Sequence, residues 1–505
     1  MKAKTLMIQG TGSHVGKSII TAALCRIFRQ DGYRVAPFKS QNMSLNSFVT
    51  EEGEEMGRAQ VVQAEACGIK PHVSMNPILL KPTTDVGTQV IVMGRPVGNM
   101  TVGEYICFKP EAMKIATIAL RSLMEEYDIV VIEGAGSPAE INLKSHDIVN
   151  MGIAEIADAP VLLVGDIDRG GVFAWFIGTM ELLEVGERER VKGFIINKFR
   201  GEKDLLKSGL SYLMERAGKP TIGVIPYFSD IHVMEEDSVN LGLQIADEGF
   251  LKSKIQNTLS KINIDVIHLP HISNFTDFNP LEIEPDVHLR YVRRPQEINS
   301  PDILIIPGSK NTISDLLYLK TSGMAEKIRH CAENRSILIG ICGGYQMLGR
   351  RIYDREGVES DKTEAEGLNL LNMVTEFREK KTTCQVRAIH LDTGFEIDGY
   401  EIHMGESKVS GNQKHLFKII SRSGVPVDTY DGLRNEKFDV WGTYLHGIFE
   451  DDRFRRWFLN SIRLKNGLYP ITMTVPYDKE KEYNRLADLV RENLDMEALY
   501  KILGI

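Results

Sequence analysis

The chain has 505 residues, 43% of them hydrophobic and 26% charged, with a formal net charge of −9 at pH 7. That length asks for more than one domain, and the acidic balance excludes a general nucleic-acid or anionic-membrane binder while allowing a local phosphate pocket. No apolar run approaches the roughly 18 residues that span a bilayer, and the segment Thr5–Gln9 is too short for a signal-peptide core, so a cytoplasmic protein is expected.

The first half alternates short β-branched runs with longer helical patterns, the mark of a parallel sheet flanked by helices. Strands are predicted at Leu6–Gln9, Arg34–Phe38, Asp128–Ile132, Val161–Gly165, Gly193–Asn197 and Thr221–Ile225. Each ends in glycine, polar or charged residues, which places candidate chemistry at the carboxyl edge of the sheet. After the first strand, Gly10, Thr11, Gly12, Ser13, Gly16, Lys17 and Ser18 form a phosphate loop that opens the helix Ile19–Phe28. Glycines let backbone N–H groups wrap around phosphates, Lys17 reaches the β- and γ-phosphates, and the Ser18 hydroxyl suits Mg²⁺. The spacing is a variant: Thr11 stands where the first glycine of the usual loop would be, and Gly10 lies one residue further back.

Three other strand ends fit a nucleotide site. Glu133 in Glu133-Gly-Ala-Gly136 is placed either to hold Mg²⁺ or to serve as a turn acid. Lys39 lies beside the polar cluster Ser40, Gln41, Asn42, Ser44 and Asn46, where it meets an anionic group or remains a solvated lysine. Asn197 reads an adenine edge or simply starts a loop, and Asp166 and Asp168 belong to the metal or substrate region or cap a helix.

A polar, helix-prone stretch at 251–261 reads as a linker between domains at 1–250 and 262–505. The second half opens with strands at Ile264–Leu269, Val287–Val292, Ile303–Ile306 and Ile337–Ile341, then turns to alternating, antiparallel patterns after about 380. The tail Asp478–Ile505 has helical spacing.

Six cysteines (25, 67, 107, 331, 342 and 384) form no C-x-x-C pair, which argues against a zinc site or a disulfide framework. Cys342 differs from the rest because Gly340, Gly343 and Gly344 surround it at the end of a buried strand. Small neighbours relieve a strained strand-to-helix turn, and the following helix directs N–H groups at the sulfur and favours the thiolate. His446, past a strand and before Gly447, is the candidate general base and acid; His390, His403 and His415 compete less well. Gly343 and Gly308, in Pro307-Gly-Ser-Lys-Asn311, are candidates to offer backbone N–H groups to an oxyanion.

The Cys342 and His446 segments resemble the class I glutamine amidotransferase domain. The phosphate loop with Glu133-Gly-Ala-Gly136 resembles ATP-dependent amidoligases related to dethiobiotin synthetase. In this order, with Pro37–Ser47 and Ile272-Ser-Asn-Phe-Thr-Asp-Phe278, they resemble the cobyric acid synthase family over essentially the full chain. The resemblance implies a two-domain α/β fold: a parallel-sheet amidoligase domain, then a glutamine amidotransferase-like domain. It implies L-glutamine, ATP and Mg²⁺, and adenosylcobyrinic acid a,c-diamide as the substrate amidated at four carboxylates. Lys17, Ser18 and Glu133 would serve ATP and Mg²⁺, and Lys39 would lie near an acyl phosphate. No nucleic-acid or membrane partner is implied, and a homo-oligomer is compatible with it. A typical class I domain has a glutamate two residues after the histidine, but Ile448 stands there, so a Cys–His dyad is expected with the third role empty. The rival readings are amidation of another corrinoid in the manner of cobyrinic acid a,c-diamide synthase, a partner-binding P-loop ATPase switch, and a cysteine hydrolase with a regulatory nucleotide domain.

Overall fold

The computed structural model describes residues 3–82, 87–233, 261–360, 362–411, 413–437, 439–472 and 476–505. The expected linker helix at 251–261 lies outside them except for Lys261. The chain forms two compact units: Met1–Ser44 with Met56–Glu236 and Asp478–Ile505, and Leu45–Glu55 with Asp237–Tyr477.

The first unit is built on six parallel strands: β1 (Lys4–Gly10), β2 (Val35–Phe38), β3 (Ile129–Glu133), β4 (Val161–Asp166), β5 (Val191–Phe199) and β6 (Thr221–Pro226). Their order is β6-β5-β4-β1-β3-β2, with Met7 of β1 opposite Val161 on one side and Ile132 on the other. Leu6, Met7 and Ile8 are fully buried because both neighbours and both faces cover the central strand. This order brings Gly10, Glu133, Asp166 and Asn197 to one edge. Helix α1 (Lys17–Gln30) leaves that edge and packs on α2 (Arg58–Cys67).

The structure departs from the expected bounds of 1–250 and 262–505 in two places. The tail packs on the first unit, because helix Lys479–Asn493 carries the apolar stripe Tyr483, Leu486, Ala487 and Val490 and buries it there. Arg26 fixes it through Glu480 at 2.7 Å, and Asp495 donates its backbone N–H to Ile222 at 2.7 Å. The short segment Leu45–Glu55, in contrast, belongs to the second unit.

The second unit has an eleven-stranded sheet. Its parallel part runs β8-β7-β9-β10-β15, from β7 (Ile262–Ile267), β8 (Val287–Val292), β9 (Ile303–Ile306), β10 (Ile337–Ile341) and β15 (Val440–Thr443). The antiparallel strands follow as expected, but longer: β11 (Met373–His390), β12 (Glu396–Val409), β13 (Lys414–Arg422) and β14 (Val425–Arg434). Strands β10 and β15 are neighbours, so the residues just after them, Cys342 and His446, leave the same sheet edge.

Candidate functional site

Each unit holds one of the two groups of candidate residues that the sequence singles out. In the second, Cys342 takes φ +50° and ψ −106° between β10 and helix α3 (Gly343–Leu348). This left-handed backbone is rare for a residue with a side chain, and it swings the sulfur out of the strand. The neighbouring glycines are required by close approach rather than by turn preference: a Cβ on Gly344 would lie 2.0 Å from the Ile306 carbonyl oxygen, and one on Gly343 would lie 2.8 Å from the Ser309 nitrogen. The Cys342 thiol is directed at the Ile402 carbonyl, 3.6 Å away, and Cys342 is close enough to His446 to raise the imidazole pKa.

His446 is buried, and its Nδ1 lies 2.6 Å from Asp277 Oδ2; Asp277 Oδ1 also accepts the Gly447 N–H at 3.1 Å. Burial alone would lower the imidazole pKa, but the Asp277 carboxylate and then Cys342 raise it to about 10. The contact with Asp277 leaves Nε2 as the nitrogen for proton exchange. The expectation of a dyad without a third member is thus corrected. A carboxylate does orient His446, but it comes from a short 3₁₀ turn (Phe275–Phe278) remote in sequence, while Ile448 packs in the core. Gly308 is next to this pair, since a Cβ on it would lie 3.5 Å from His446 Cε1. The competing histidines have other surroundings: His390 sits among the rings of Phe417, Phe454 and Trp457, and burial lowers its pKa to about 4. His403 stacks on Tyr444, and His415 on Tyr430.

In the first unit, Gly16 has φ +98° and precedes α1, whose N-terminus no side chain caps. Its N–H groups are therefore available to a phosphate. Lys17 Nζ donates to the Gly12 and Gly136 carbonyls at 2.8 and 3.2 Å, which holds the ammonium across the loop. A Cβ on Gly12 would meet nothing within 4 Å, so this side of the loop is open. One oxygen of Glu133 accepts from both Ser18 Oγ (2.7 Å) and Lys39 Nζ (2.9 Å). The other accepts from Gln63 Nε2 (2.5 Å) and Gln60 Nε2 (3.4 Å). Burial would raise the Glu133 pKa, but the Lys39 charge and the hydrogen bonds from Lys39, Ser18 and Gln63 hold it below the ordinary carboxylate value. Asn197 Nδ2 donates to the Val15 carbonyl at 2.9 Å, leaving Oδ1 buried with no hydrogen-bond partner; Thr11 Oγ1 and Gln63 Oε1 are also buried without one. Hydroxyl, carboxylate and carboxamide oxygens together fit Mg²⁺, and the orphaned Asn197 acceptor fits an amino-bearing base.

Asp166 and Asp168 do not cap a helix, because Gly171 occupies that position ahead of Val172–Leu182. They pair instead with Lys198 and Arg200, at 3.0 and 3.1 Å. Sequence reading missed Asp277, Gln60 and Gln63. The glutamines stand three apart in Arg58–Cys67, on one helix face, yet both are fully buried; two polar residues so spaced are a signal only once that face is known to be internal.

Comparison with known proteins gives full-length matches. The family model of the CobQ/CobB/MinD/ParA nucleotide-binding domain matches residues 6–240, and that of the CobB/CobQ-like glutamine amidotransferase domain matches 263–454. A cobyric acid synthase of Clostridium botulinum (strain 657 / Type Ba4) is 52% identical over 99% of both chains. One from Alkaliphilus metalliredigens (strain QYMF) is 53% identical over 98% of this chain and 99% of that one. Another, from Syntrophobacter fumaroxidans (strain DSM 10017 / MPOB), is 47% identical over all of this chain and 99% of its own. Among solved structures, a glutamine amidotransferase aligns with 39% of this chain and 97% of its own, at TM-score 0.30 and 18% identity.

Proposed function

The chain belongs to the cobyric acid synthase family of ATP-dependent glutamine amidotransferases, and from that premise we propose that it amidates the b, d, e and g carboxylates of adenosylcobyrinic acid a,c-diamide in cobalamin biosynthesis. One observation carries this reading: a single chain holds both a Cys342–His446–Asp277 assembly and a phosphate loop whose Lys17 reaches the Gly136 carbonyl and whose Ser18 bonds Glu133.

In the glutaminase reaction the Cys342 thiolate attacks the side-chain carbonyl carbon of glutamine. The carbonyl oxygen becomes an oxyanion, to which the N–H groups of Gly343 and Gly308 are proposed to donate. His446, held as imidazolium by Asp277, gives its proton to the departing ammonia. The same imidazole then takes a proton from water as that water hydrolyses the thioester, and glutamate leaves.

In the ligase reaction Gly10, Thr11, Gly12, Ser13 and Gly16 cradle the phosphates of ATP, and Asn197 accepts from the adenine amino group. A substrate carboxylate oxygen attacks the γ-phosphorus and ADP departs, which forms an acyl phosphate. Ammonia attacks the acyl carbon, loses a proton and displaces phosphate, leaving the amide. Ser18 and Glu133 would hold Mg²⁺, which supplies charge neutralisation of the phosphates. Lys17 steadies the transferred charge, and Lys39 meets the acyl phosphate.

A nucleotide-driven switch would use the first assembly and leave the second without a purpose. The test is Cys342→Ala assayed with two nitrogen sources. Glutamine-dependent amidation is expected to vanish while amidation with high ammonium continues; loss of both in a folded variant refutes the scheme. Lys17→Ala should do the reverse, stopping amide formation from either source while leaving Cys342 open to alkylation.

A further inference from the structure

The second unit includes eleven residues that lie far from it in sequence. Leu45–Glu55 falls within the region matched by the nucleotide-binding family model, yet it folds with Asp237–Tyr477. It is built in rather than draped over: Asn46, Ser47, Val49, Thr50 and Glu55 are all nearly or fully buried. Lys381 pairs with Glu55, Thr383 Oγ1 donates to the Gly53 carbonyl at 2.8 Å, and Gln385 donates to the Val49 carbonyl. All three anchors stand on β11.

The other end of the segment reaches the surroundings of His446. Asn274 Nδ2 donates to the Ser47 carbonyl at 3.1 Å and to the Tyr400 hydroxyl oxygen at 2.9 Å. The backbone N–H of Phe275 donates to Asn46 Oδ1 at 3.2 Å. Asn274, in the left-handed region at φ +51°, is the N-terminal cap position of the turn that carries Asp277. The Tyr400 ring stacks on the His446 imidazole with centroids 5.1 Å apart and planes 18° from parallel, and the two residues exchange backbone hydrogen bonds of 3.2 and 2.9 Å. The two groups that fix the catalytic imidazole, one by hydrogen bond and one by stacking, therefore both rest on Asn46 and Ser47.

We propose that Leu45–Glu55 is a positioning strap of the Cys342–His446 site, setting the imidazole through Asn274 and Tyr400. The proposal rests on the glutaminase reading of that site. It makes the mounting of the base a property of the whole chain rather than of residues 263–454 alone. Asn46, Asn274 and Tyr400 are positioning residues, since none is needed to exchange a proton with substrate.

The test uses full-length Asn46→Ala, Asn274→Gly and Tyr400→Phe, with Cys342→Ala alongside. Asn274→Gly keeps the left-handed backbone accessible, and Tyr400→Phe keeps the stacked ring, so each removes hydrogen bonds with little other change. Displacing a catalytic group by about 1 Å costs roughly 10²-fold, so glutamine-dependent kcat should fall about 10- to 100-fold. KM for glutamine should stay within about two-fold, and ammonium-dependent amidation should match that of the parent chain. Asn46→Ala combined with Asn274→Gly should lose less than the product of the single effects, because their separate hydrogen bonds hold the same junction between the segment and the Asp277 turn. Folded variants that keep glutamine-dependent kcat within two-fold overturn the proposal, as does equal loss of both activities. If Asn274→Gly does not fold, Asn46→Ala and Tyr400→Phe decide by the same criteria. Glutamine-dependent activity persisting in Cys342→Ala would instead overturn the glutaminase reading itself, and the strap with it.

Discussion

Replacing Asp277 by asparagine tests the carboxylate that the motif around His446 lacks. The side chain keeps its shape, but it loses the charge and can present an N–H to Nδ1, which would leave the other ring nitrogen protonated and unable to take a proton. His446 stands at about 10 in the structure against an ordinary 6.5, and at 1.36 kcal/mol per unit that difference is about 5 kcal/mol. Replacing a histidine-orienting carboxylate by its amide costs up to about 10⁴-fold in kcat by fixing the wrong imidazole tautomer, so glutaminase kcat should fall about 10²- to 10⁴-fold. The assay is steady-state glutamine hydrolysis beside ammonium-dependent amidation, which should be unchanged. Stability supplies a second readout. A group whose pKa is raised on folding contributes fully below its unfolded value and loses that contribution as pH rises through the folded one. The pair should therefore stabilise the parent chain below about pH 6.5 and progressively less as pH approaches about 10. That dependence should largely disappear in Asp277→Asn. A folded variant with parental glutaminase kcat would refute the orienting role of Asp277.

Three further outcomes are expected. Gln63→Ala removes a 2.5 Å hydrogen bond to Glu133 and should weaken Mg²⁺ binding, read by titration with nucleotide, by roughly 10- to 100-fold. Gly344→Ala forces a Cβ to 2.0 Å from the Ile306 carbonyl oxygen; Cys342 alkylation should slow and glutamine-dependent amidation should fail, while ammonium-dependent amidation continues. Glu284→Gln disturbs a buried network in which Glu284 binds Arg455 at 2.7 Å and Arg456, while Asp286 binds Arg456 at 2.9 Å and Arg463 at 3.2 Å. It should cost about 3–5 kcal/mol of stability in the second unit, read from denaturant unfolding.

Much of the architecture was legible because its signals are local. An apolar run ending in glycine and followed by Gly16, Lys17 and Ser18 describes a strand, a loop and a helix without reference to the rest of the chain. The glycines around Cys342 likewise announce a crowded turn, and the structure shows what crowds it: the Ile306 carbonyl and the Ser309 nitrogen. Amphipathic spacing also foretold helix in the tail. It could not say which surface covers that apolar stripe, because many surfaces would do so equally well.

Short-range requirements mark the candidate reactive groups along the sequence: Cys342, His446, Lys17, Ser18 and Glu133. Tertiary structure alone decided which distant groups tune them. Asp277 lies 169 residues from the histidine it orients. Gln60 and Gln63 look like ordinary helix residues until their helix is found to be buried against Glu133. Leu45–Glu55 reads as part of the nucleotide domain and folds with the other unit. A hydrogen bond or ion pair depends on separation in space, and a chain that returns to one sheet edge from several directions sets that separation independently of distance along the sequence.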